Sequence, residues 1–301
     1  MTSDIYPSLT RTAGLLLATL LVAAGLAAVA YEALPGWPEI VRMALPTEIA
    51  LALALAWAVR KSGLGWRRAL AWRRIEGRHL LPLGLVVVGS MTVFSELYVV
   101  IQKLAPVPEA FEAALRELLE ISGPLDAIAT LAIAVVVAPA LEEALFRGAI
   151  LQGLARRYGP RSATVWTAVF FALFHLYNPW QVVPTFFLGI VLAWLVLTTR
   201  SLFSAVLVHS TFNAASLAVF AADIEAGPRA AEEVPWLVAG IVVLLVAGSL
   251  CLLGGMAWIE RQTGGGWFRD VTADSEDRDD DDAGSGYPVS STEVGPSTAR
   301  R

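Results

Sequence analysis

The sequence predicts an all-α protein, a polytopic membrane bundle of about eight transmembrane helices, and two observations carry that prediction. Of the 301 residues, 56% are hydrophobic and only 16% are charged, whereas an ordinary soluble domain is about 45–50% apolar. The apolar residues also gather into stretches of roughly 20 residues, the length at which an α-helix crosses a bilayer. The composition therefore excludes a soluble globular domain. The sequence holds no nucleic-acid motif, so the expected partner is the lipid bilayer and not nucleic acid.

Eight stretches are long and apolar enough to be membrane spans. The second is the weakest, because Arg42 and Pro46 interrupt it. The first lies near the N-terminus, but its length and its single basic flanking residue, Arg11, favour a retained span over a cleaved signal peptide. The predicted spans are residues 13–31, 38–59, 80–101, 125–155, 162–178, 180–199, 201–221 and 235–258.

The loop between residues 60 and 79 sets the predicted orientation. It holds seven Arg and Lys residues, and short loops rich in these residues stay in the cytoplasm. Alternation of the spans then places Arg156 and Arg200 on the same side. We therefore expect a multi-pass protein of the cell membrane with both termini in the cytoplasm.

Two segments outside the spans have their own patterns. Residues 108–122 alternate apolar and charged side chains at helical spacing, which predicts an amphipathic helix on the outer interface. A connector is the favoured role for this helix, ahead of a role in admitting substrate. Residues 263–301 are rich in Gly, Ser and Asp and include an acidic run from Asp279 to Asp282, which predicts a disordered cytoplasmic tail.

The fourth span contains two carboxylates and a guanidinium. On an α-helix each residue advances by about 100°, so Glu143 and Arg147 share a face and can pair, whereas Glu142 points away from both. Glu142 is then free to act as a general base facing a cavity. Pro139 removes one backbone hydrogen bond just before the pair and can open room for water. The alternative is a purely structural Glu–Arg pair near the cytoplasmic end.

Two later spans add imidazoles. His175 follows Phe171 by one helical turn, and His209 and Asn213 are also one turn apart, so the members of each set share a helix face. Each set alone also fits an ordinary structural role, as a core histidine or as a polar contact between helices. At about 1.5 Å per residue, however, Glu142 and His175 lie roughly 20 Å, and His209 roughly 15 Å, from the predicted cytoplasmic ends of their spans. This common depth predicts one intramembrane active site.

The motifs E-E-x-x-x-R, F-x-x-x-H and H-x-x-x-N therefore occur in this order on separate spans, at Glu142–Arg147, Phe171–His175 and His209–Asn213. In this the sequence resembles the CPBP (CAAX protease and bacteriocin-processing, or Abi) family of intramembrane proteases, which includes the type II CAAX prenyl endopeptidases. The resemblance covers about residues 125–221.

The resemblance implies hydrolysis of a peptide bond inside the membrane. Glu142 and His175 would activate a water, and His209 and Asn213 would stabilise the oxyanion of the tetrahedral intermediate. The same resemblance gives Glu143, Arg147 and Phe171 the role of supporting the site. The implied substrate is a membrane-embedded or lipidated peptide or protein, and a prenylated CAAX-type end is one option.

The resemblance favours a metal-free glutamate protease, so no cofactor is expected. The sequence also lacks the H-E-x-x-H spacing of zinc proteases. If zinc is bound, the ligands would be Glu142, His175 and His209, each from a different helix.

The prediction divides the chain into four parts. Residues 1–124 hold the first transmembrane helices, the basic loop and the interfacial helix, and residues 125–221 form the catalytic core. Residues 222–262 form the last transmembrane helix, and residues 263–301 form the tail. Two other functions stay open: a proton- or ion-coupled transporter that uses the buried Glu and His residues, and a non-catalytic membrane scaffold or immunity protein.

Overall fold

The computed structural model describes residues 6–63, 65–119, 121–226 and 235–264, and within these ranges the chain is helical without strands. The predicted all-α class is confirmed. Nine helices of ten residues or more form the framework: α1 Leu9–Ala33, α2 Leu45–Ser62, α3 Leu80–Leu104, α4 Glu109–Leu118, α5 Pro124–Tyr158, α6 Pro160–Phe174, α7 Val182–Thr199, α8 Leu202–Ala226 and α9 Pro235–Thr263. The predicted acidic tail lies outside the described residues, apart from its first two residues.

Seven of the nine helices are long and apolar enough to cross a membrane, namely α1, α2 with the short turn before it, α3, α5, α7, α8 and α9. The predicted polytopic bundle is therefore confirmed. The helix at the predicted span 162–178 differs, because α6 has only 15 residues. It begins after Gly159, whose φ of 81° is readily adopted only by glycine, and it ends at His175, four residues before Pro179. At about 22 Å it is shorter than the roughly 30 Å of a hydrocarbon core.

The short α6 nevertheless returns the chain across the bundle. It forms an antiparallel pair with α7, and the turn between them reaches the end of α3, where Trp180 Nε1 donates a hydrogen bond to the carbonyl of Ala105 at 2.6 Å. Phe111 of α4 packs on the Trp180 ring, with 5.0 Å between the ring centroids. The amphipathic helix predicted between residues 108 and 122 is thus present as α4, beside this turn.

The basic loop and the α7–α8 turn meet at the opposite end of the bundle, as the predicted alternation requires. Ser201 Oγ donates to the carbonyl of Arg73 at 2.6 Å, and the backbone N–H of Leu202 donates to the carbonyl of Ala71 at 3.1 Å. The first described residues lie at this end too, because Tyr6 packs edge-on against Trp57 near the end of α2. Which of the two ends faces the cytoplasm stays a prediction.

The core of the bundle surrounds α5 and α7. The largest fully buried side chains include Phe146 and Leu145 of α5 and Trp194 and Leu192 of α7. The two carboxylates and the guanidinium at the middle of α5 enter this same core, so they are enclosed by protein.

Candidate active site

Helix α5 is irregular on both sides of the two carboxylates. Glu142 and Glu143 lie in the α-helical segment Ala138–Glu143, between the π-helical segments Leu131–Val137 and Ala144–Ile150. Turns of this kind occur often at functional sites, because one extra residue changes the direction of the side chains that follow. The backbone irregularity predicted at Pro139 therefore takes the form of a π-helical turn just before it.

The predicted pair of Glu143 and Arg147 is present. Arg147 Nη1 lies 3.0 Å from Glu143 Oε1, and both side chains are completely buried. The guanidinium also donates to the carbonyl of Gly189 at 3.4 Å and stacks on the Phe171 ring, 4.0 Å from its centroid. Its position is therefore fixed by three helices, α5, α6 and α7.

Glu143 has a second partner that the sequence did not predict. Its Oε1 lies 2.9 Å from Nδ1 of His209, on α8. A carboxylate only accepts hydrogen bonds, so the imidazole Nδ1 carries the hydrogen. Glu143 therefore connects the guanidinium to the histidine and orients the ring of His209.

Glu142 faces both imidazoles. Its Oε2 lies 3.9 Å from His175 Nε2 and 3.9 Å from His209 Nε2. These separations are too long for direct hydrogen bonds and short enough for one water to contact the carboxylate and an imidazole together. Glu142 is 8% exposed, and its Oε2 has no hydrogen-bond partner among the described residues. Helices α5, α6 and α8 thus bring one carboxylate and two imidazoles to a common point.

Both imidazoles turn Nε2 towards Glu142, but their Nδ1 atoms have different partners. His175 Nδ1 lies 2.8 Å from the carbonyl of Phe171, which only accepts, so this nitrogen also carries a hydrogen. In the neutral form each Nε2 is then a lone-pair acceptor. The partner of Nδ1 is an uncharged carbonyl for His175 and a carboxylate for His209.

Phe171 lies at the centre of this arrangement. Its ring centroid is 4.6 Å from that of His175 and 5.7 Å from that of His209. Together with its stacking on Arg147, these contacts make the ring a shared wall for the cation and both imidazoles.

Asn213 is engaged with the backbone of α5. Its Nδ2 donates to the carbonyl of Ala134 at 2.9 Å. That carbonyl lacks its helical donors, because the N–H of Ala138 bonds to Ile133 instead and Pro139 has no N–H. One amide hydrogen of Asn213 therefore satisfies a carbonyl that the π-helical turn leaves unpaired, and the second amide hydrogen stays available.

Two side chains near Glu142 were not among the predicted site residues. Glu48 of α2 is 5% exposed, and α2 packs against the segment of α5 that carries Glu142. Tyr177 lies in the turn after α6, and its ring lies 5.9 Å from that of His175. The sequence held one signal for Glu48, an acidic residue inside a predicted membrane span.

The distances from Glu142 to the two histidines are longer than those between the ligands of a zinc ion. Zinc ligands at about 2.0–2.1 Å in a tetrahedral site are roughly 3.3 Å apart, whereas Glu142 Oε2 is 3.9 Å from each histidine nitrogen. Within the described parts of the chain, no group of three His, Cys, Asp or Glu side chains is arranged to hold a metal ion. Glu142, His175 and His209 do not fit a zinc site as they stand.

The candidate site lies within a segment of the chain that matches a known family of proteins. Residues 124–215 match the family model described as type II CAAX prenyl endopeptidase Rce1-like, which confirms the resemblance predicted from the motifs. No curated protein and no solved structure matches the chain. The match, together with the seven candidate spans, supports a multi-pass membrane protein and, in general terms, an intramembrane protease of the CAAX type. It lends no support to a transporter or a scaffold.

Proposed function

Because residues 124–215 match the family of type II CAAX prenyl endopeptidases, we propose that this protein is an intramembrane endopeptidase in which Glu142 and His175 activate the attacking water. One observation carries the proposal: Glu142 Oε2 lies 3.9 Å from Nε2 of His175 and from Nε2 of His209. A water held between the carboxylate and an imidazole has a proton acceptor on either side.

The first step is attack on the scissile carbonyl. The water loses a proton to Glu142, with His175 Nε2 as the second acceptor, and its oxygen forms a bond to the carbonyl carbon. The carbonyl oxygen becomes an oxyanion. The second step breaks the carbon–nitrogen bond, and the leaving amine takes the proton that Glu142 received, so the carboxylate is regenerated.

Two donors are assigned to the oxyanion. The first is Nε2 of His209, in a ring that carries a hydrogen on both nitrogens and whose Nδ1 lies 2.9 Å from Glu143 Oε1. Asn213 contributes the amide hydrogen that does not bind Ala134. Donors that are fixed before the reaction stabilise an oxyanion without reorganising, and both side chains are fixed by their second contacts.

The substrate class follows from the surroundings of the site. A site enclosed by helices of membrane length meets peptides that are themselves embedded in or anchored to the bilayer, so we assign a membrane-embedded or lipidated peptide, with a prenylated end as one form of anchor. We propose that the reaction needs no metal.

The test is cleavage of a panel of membrane-anchored and prenylated peptides by the purified full-length protein in detergent, with products identified by mass spectrometry. Glu142→Gln keeps the size of the side chain and removes the base, and Glu117→Gln on the exposed face of α4 is the matched control. Each protein is assayed with and without a strong zinc chelator. We expect cleavage by the control and loss of cleavage in Glu142→Gln, with no effect of chelator.

Full activity of a folded Glu142→Gln protein would remove Glu142 from the mechanism. Loss of wild-type cleavage with chelator, and its return with zinc, would overturn the metal-free part of the proposal. Absence of cleavage across the whole panel would count against the protease assignment itself.

A further inference from the structure

The basic loop between α2 and α3 presents positive charge that the fold does not neutralise. Arg78 is paired with Glu76, at 2.8 Å. Five other cationic side chains of the loop, which together we call the basic face, are exposed and form no ion pair within the described part of the chain: Arg60, Lys61, Arg67, Arg73 and Arg74. Because the fold supplies no counter-charge for them, the basic face is open to a partner that carries negative charge.

Helix α9 brings the chain to the same end of the bundle. An added Cβ on Gly255 would lie 2.8 Å from the carbonyl oxygen of Pro82, so the two backbones are in close contact where α3 begins. Helix α9 also contacts the turn Gly77–His79, which joins the basic loop to α3. It ends at Thr263, and residues 265–301 lie outside the described ranges. The chain therefore leaves the bundle beside the basic loop.

The sequence beyond α9 carries the opposite charge. Residues 274–282, which we call the acidic run, hold seven Asp and Glu residues and one Arg, for a net charge of −6. Asp274 is 11 positions after Thr263, and an extended chain covers that separation with up to about 36 Å. This reach equals about three helix diameters, so the acidic run can contact the basic face from the end of α9.

The orientation rule accounts for only half of this pattern. It explains why positive charges gather at the cytoplasmic ends of membrane spans, but it does not explain an acidic run at the same end. Anionic lipids of the cytoplasmic leaflet attract basic segments, and the same field repels acidic ones. The acidic run is therefore more stable against the basic face than against the lipid headgroups.

Covalent connection strengthens this pairing. One exposed ion pair contributes only about 0.2–1 kcal/mol, so a free acidic peptide would bind the basic face weakly. The short connection to α9 raises the effective concentration of the acidic run to about the millimolar range. Several weak pairs can then form together within one molecule.

From these observations we propose that the acidic run of residues 274–282 binds the basic face of the same chain. The carboxylates of the run pair with the guanidinium groups of the loop. The backbone carbonyl of Arg73 in this loop accepts the hydrogen bond from Ser201 Oγ at 2.6 Å, so the acidic run covers the segment that holds the α7–α8 turn. The contact lies at the end of the bundle away from His175, and the proposal does not depend on the protease function.

The chain contains two lysines, and they provide the test. Lys61 belongs to the basic face, whereas Lys103 lies at the opposite end, close to the Ala105 carbonyl that binds Trp180. The purified full-length protein, in detergent and in vesicles of phosphatidylcholine, is treated with a water-soluble carbodiimide, which joins a carboxylate to an amine in contact with it. Mass spectrometry of the digest should find the acidic run linked to Lys61 and not to Lys103.

Neutral variants test the part played by charge. Arg67→Gln/Arg73→Gln/Arg74→Gln removes three cations and keeps Lys61, so we expect the yield of the link to fall about 5-fold or more. About 1 M NaCl should lower the wild-type yield in the same way, because the screening length falls to about 3 Å, and this measurement needs no variant. Arg116→Gln on α4, at the opposite end, is the control and should leave the yield unchanged.

Absence of a link to Lys61, or a yield that neither salt nor the triple variant lowers, would overturn the proposal. A mixture of isotope-labelled and unlabelled protein shows whether both linked peptides come from one molecule, and links found only between two molecules would also overturn it. Vesicles that contain phosphatidylglycerol provide the last comparison. A link kept there would support the proposal, whereas a link lost there and kept in phosphatidylcholine would show that anionic headgroups occupy the basic face instead.

Discussion

Asn213 on α8 donates a hydrogen bond from Nδ2 to the backbone carbonyl of Ala134 on α5 at 2.9 Å. The two residues are 79 positions apart in the chain, and the bond exists because Pro139 and the π-helical turn before it leave that carbonyl without a helical donor. The proline and the asparagine are therefore parts of one arrangement, which holds α8 against the irregular part of α5.

This arrangement predicts the outcome of a double variant. Asn213→Ala removes a proposed oxyanion donor, so we expect kcat to fall about 100-fold or more, and the unpaired carbonyl should cost about 1–3 kcal/mol of stability. Pro139→Ala supplies a backbone N–H near that carbonyl. The Pro139→Ala/Asn213→Ala protein should therefore regain thermal stability in detergent without regaining cleavage.

The test is a double-mutant cycle. Stability and cleavage are measured on Asn213→Ala, on Pro139→Ala and on the double variant. Recovery of both properties together would mean that Asn213 acts only as a contact between helices. If the double variant regained neither stability nor cleavage, the missing N–H of Pro139 would not be the reason that Asn213 is needed.

Glu143 and Arg147 give a second prediction, about stability. Glu143→Gln leaves the fully buried guanidinium without its counter-ion, and loss of one partner of a buried pair typically costs about 3–5 kcal/mol. Arg147→Met in the same protein removes the stranded charge, so the double variant should be more stable than Glu143→Gln alone. It should still cleave poorly, because His209 has lost the carboxylate that orients it.

The measurement is unfolding by heat or denaturant in detergent, alongside the peptide assay. A Glu143→Gln protein as stable as the wild type would show that the guanidinium does not depend on this carboxylate. Full cleavage by the double variant would show that His209 needs no carboxylate on Nδ1.

Gly189 predicts a steric effect at the crossing of α6 and α7. A Cβ on this residue would lie 3.0 Å from the Cα of Ala168 and 3.4 Å from Arg147 Nη2. Gly189→Ala should therefore separate the two helices slightly and weaken the bond from Arg147 to the Gly189 carbonyl, at a cost of about 1–3 kcal/mol.

A glycine on another helix serves as the control for that substitution. Gly84 on α3 has nothing within 4 Å of an added Cβ, so Gly84→Ala should leave stability and cleavage close to those of the wild type. Equal effects at the two positions would contradict a role for close packing at Gly189.

Metal content gives a fourth prediction, which elemental analysis of the purified protein checks. We expect less than about 0.1 zinc ion per chain and the same thermal stability before and after chelator, because the distances from Glu142 to the two histidines exceed those between tetrahedral zinc ligands. One zinc per chain, lost in both His175→Ala and His209→Ala, would contradict this.

The parts of the site that the sequence predicted are those set by spacing along one helix. Glu143 and Arg147 are four residues apart, and so are Phe171 and His175, and helical geometry alone brings the members of each set together. The common depth of Glu142, His175 and His209 also follows from counting residues, since each helix rises by a constant amount.

Contacts between distant helices could not be predicted in this way. The bond from His209 to Glu143 depends on how α8 rotates about its own axis as it packs on α5. A single sequence carries no direct signal of that rotation. The short α6 was missed for a different reason: its apolar sequence continues to Leu176 and Tyr177, past the point at which the backbone leaves the helix.

The length of α6 has a consequence for the lipid around it. Its helix of about 22 Å is about 8 Å shorter than the hydrocarbon layer, and the chain continues from the His175 end as the turn that carries Trp180. Lipids adapt to such a mismatch by thinning next to the protein. We therefore expect a thinner hydrocarbon layer beside the His175 end of α6, which would shorten the path of a polar peptide segment and its water from the headgroups to Glu142 and make access to the site depend on bilayer thickness.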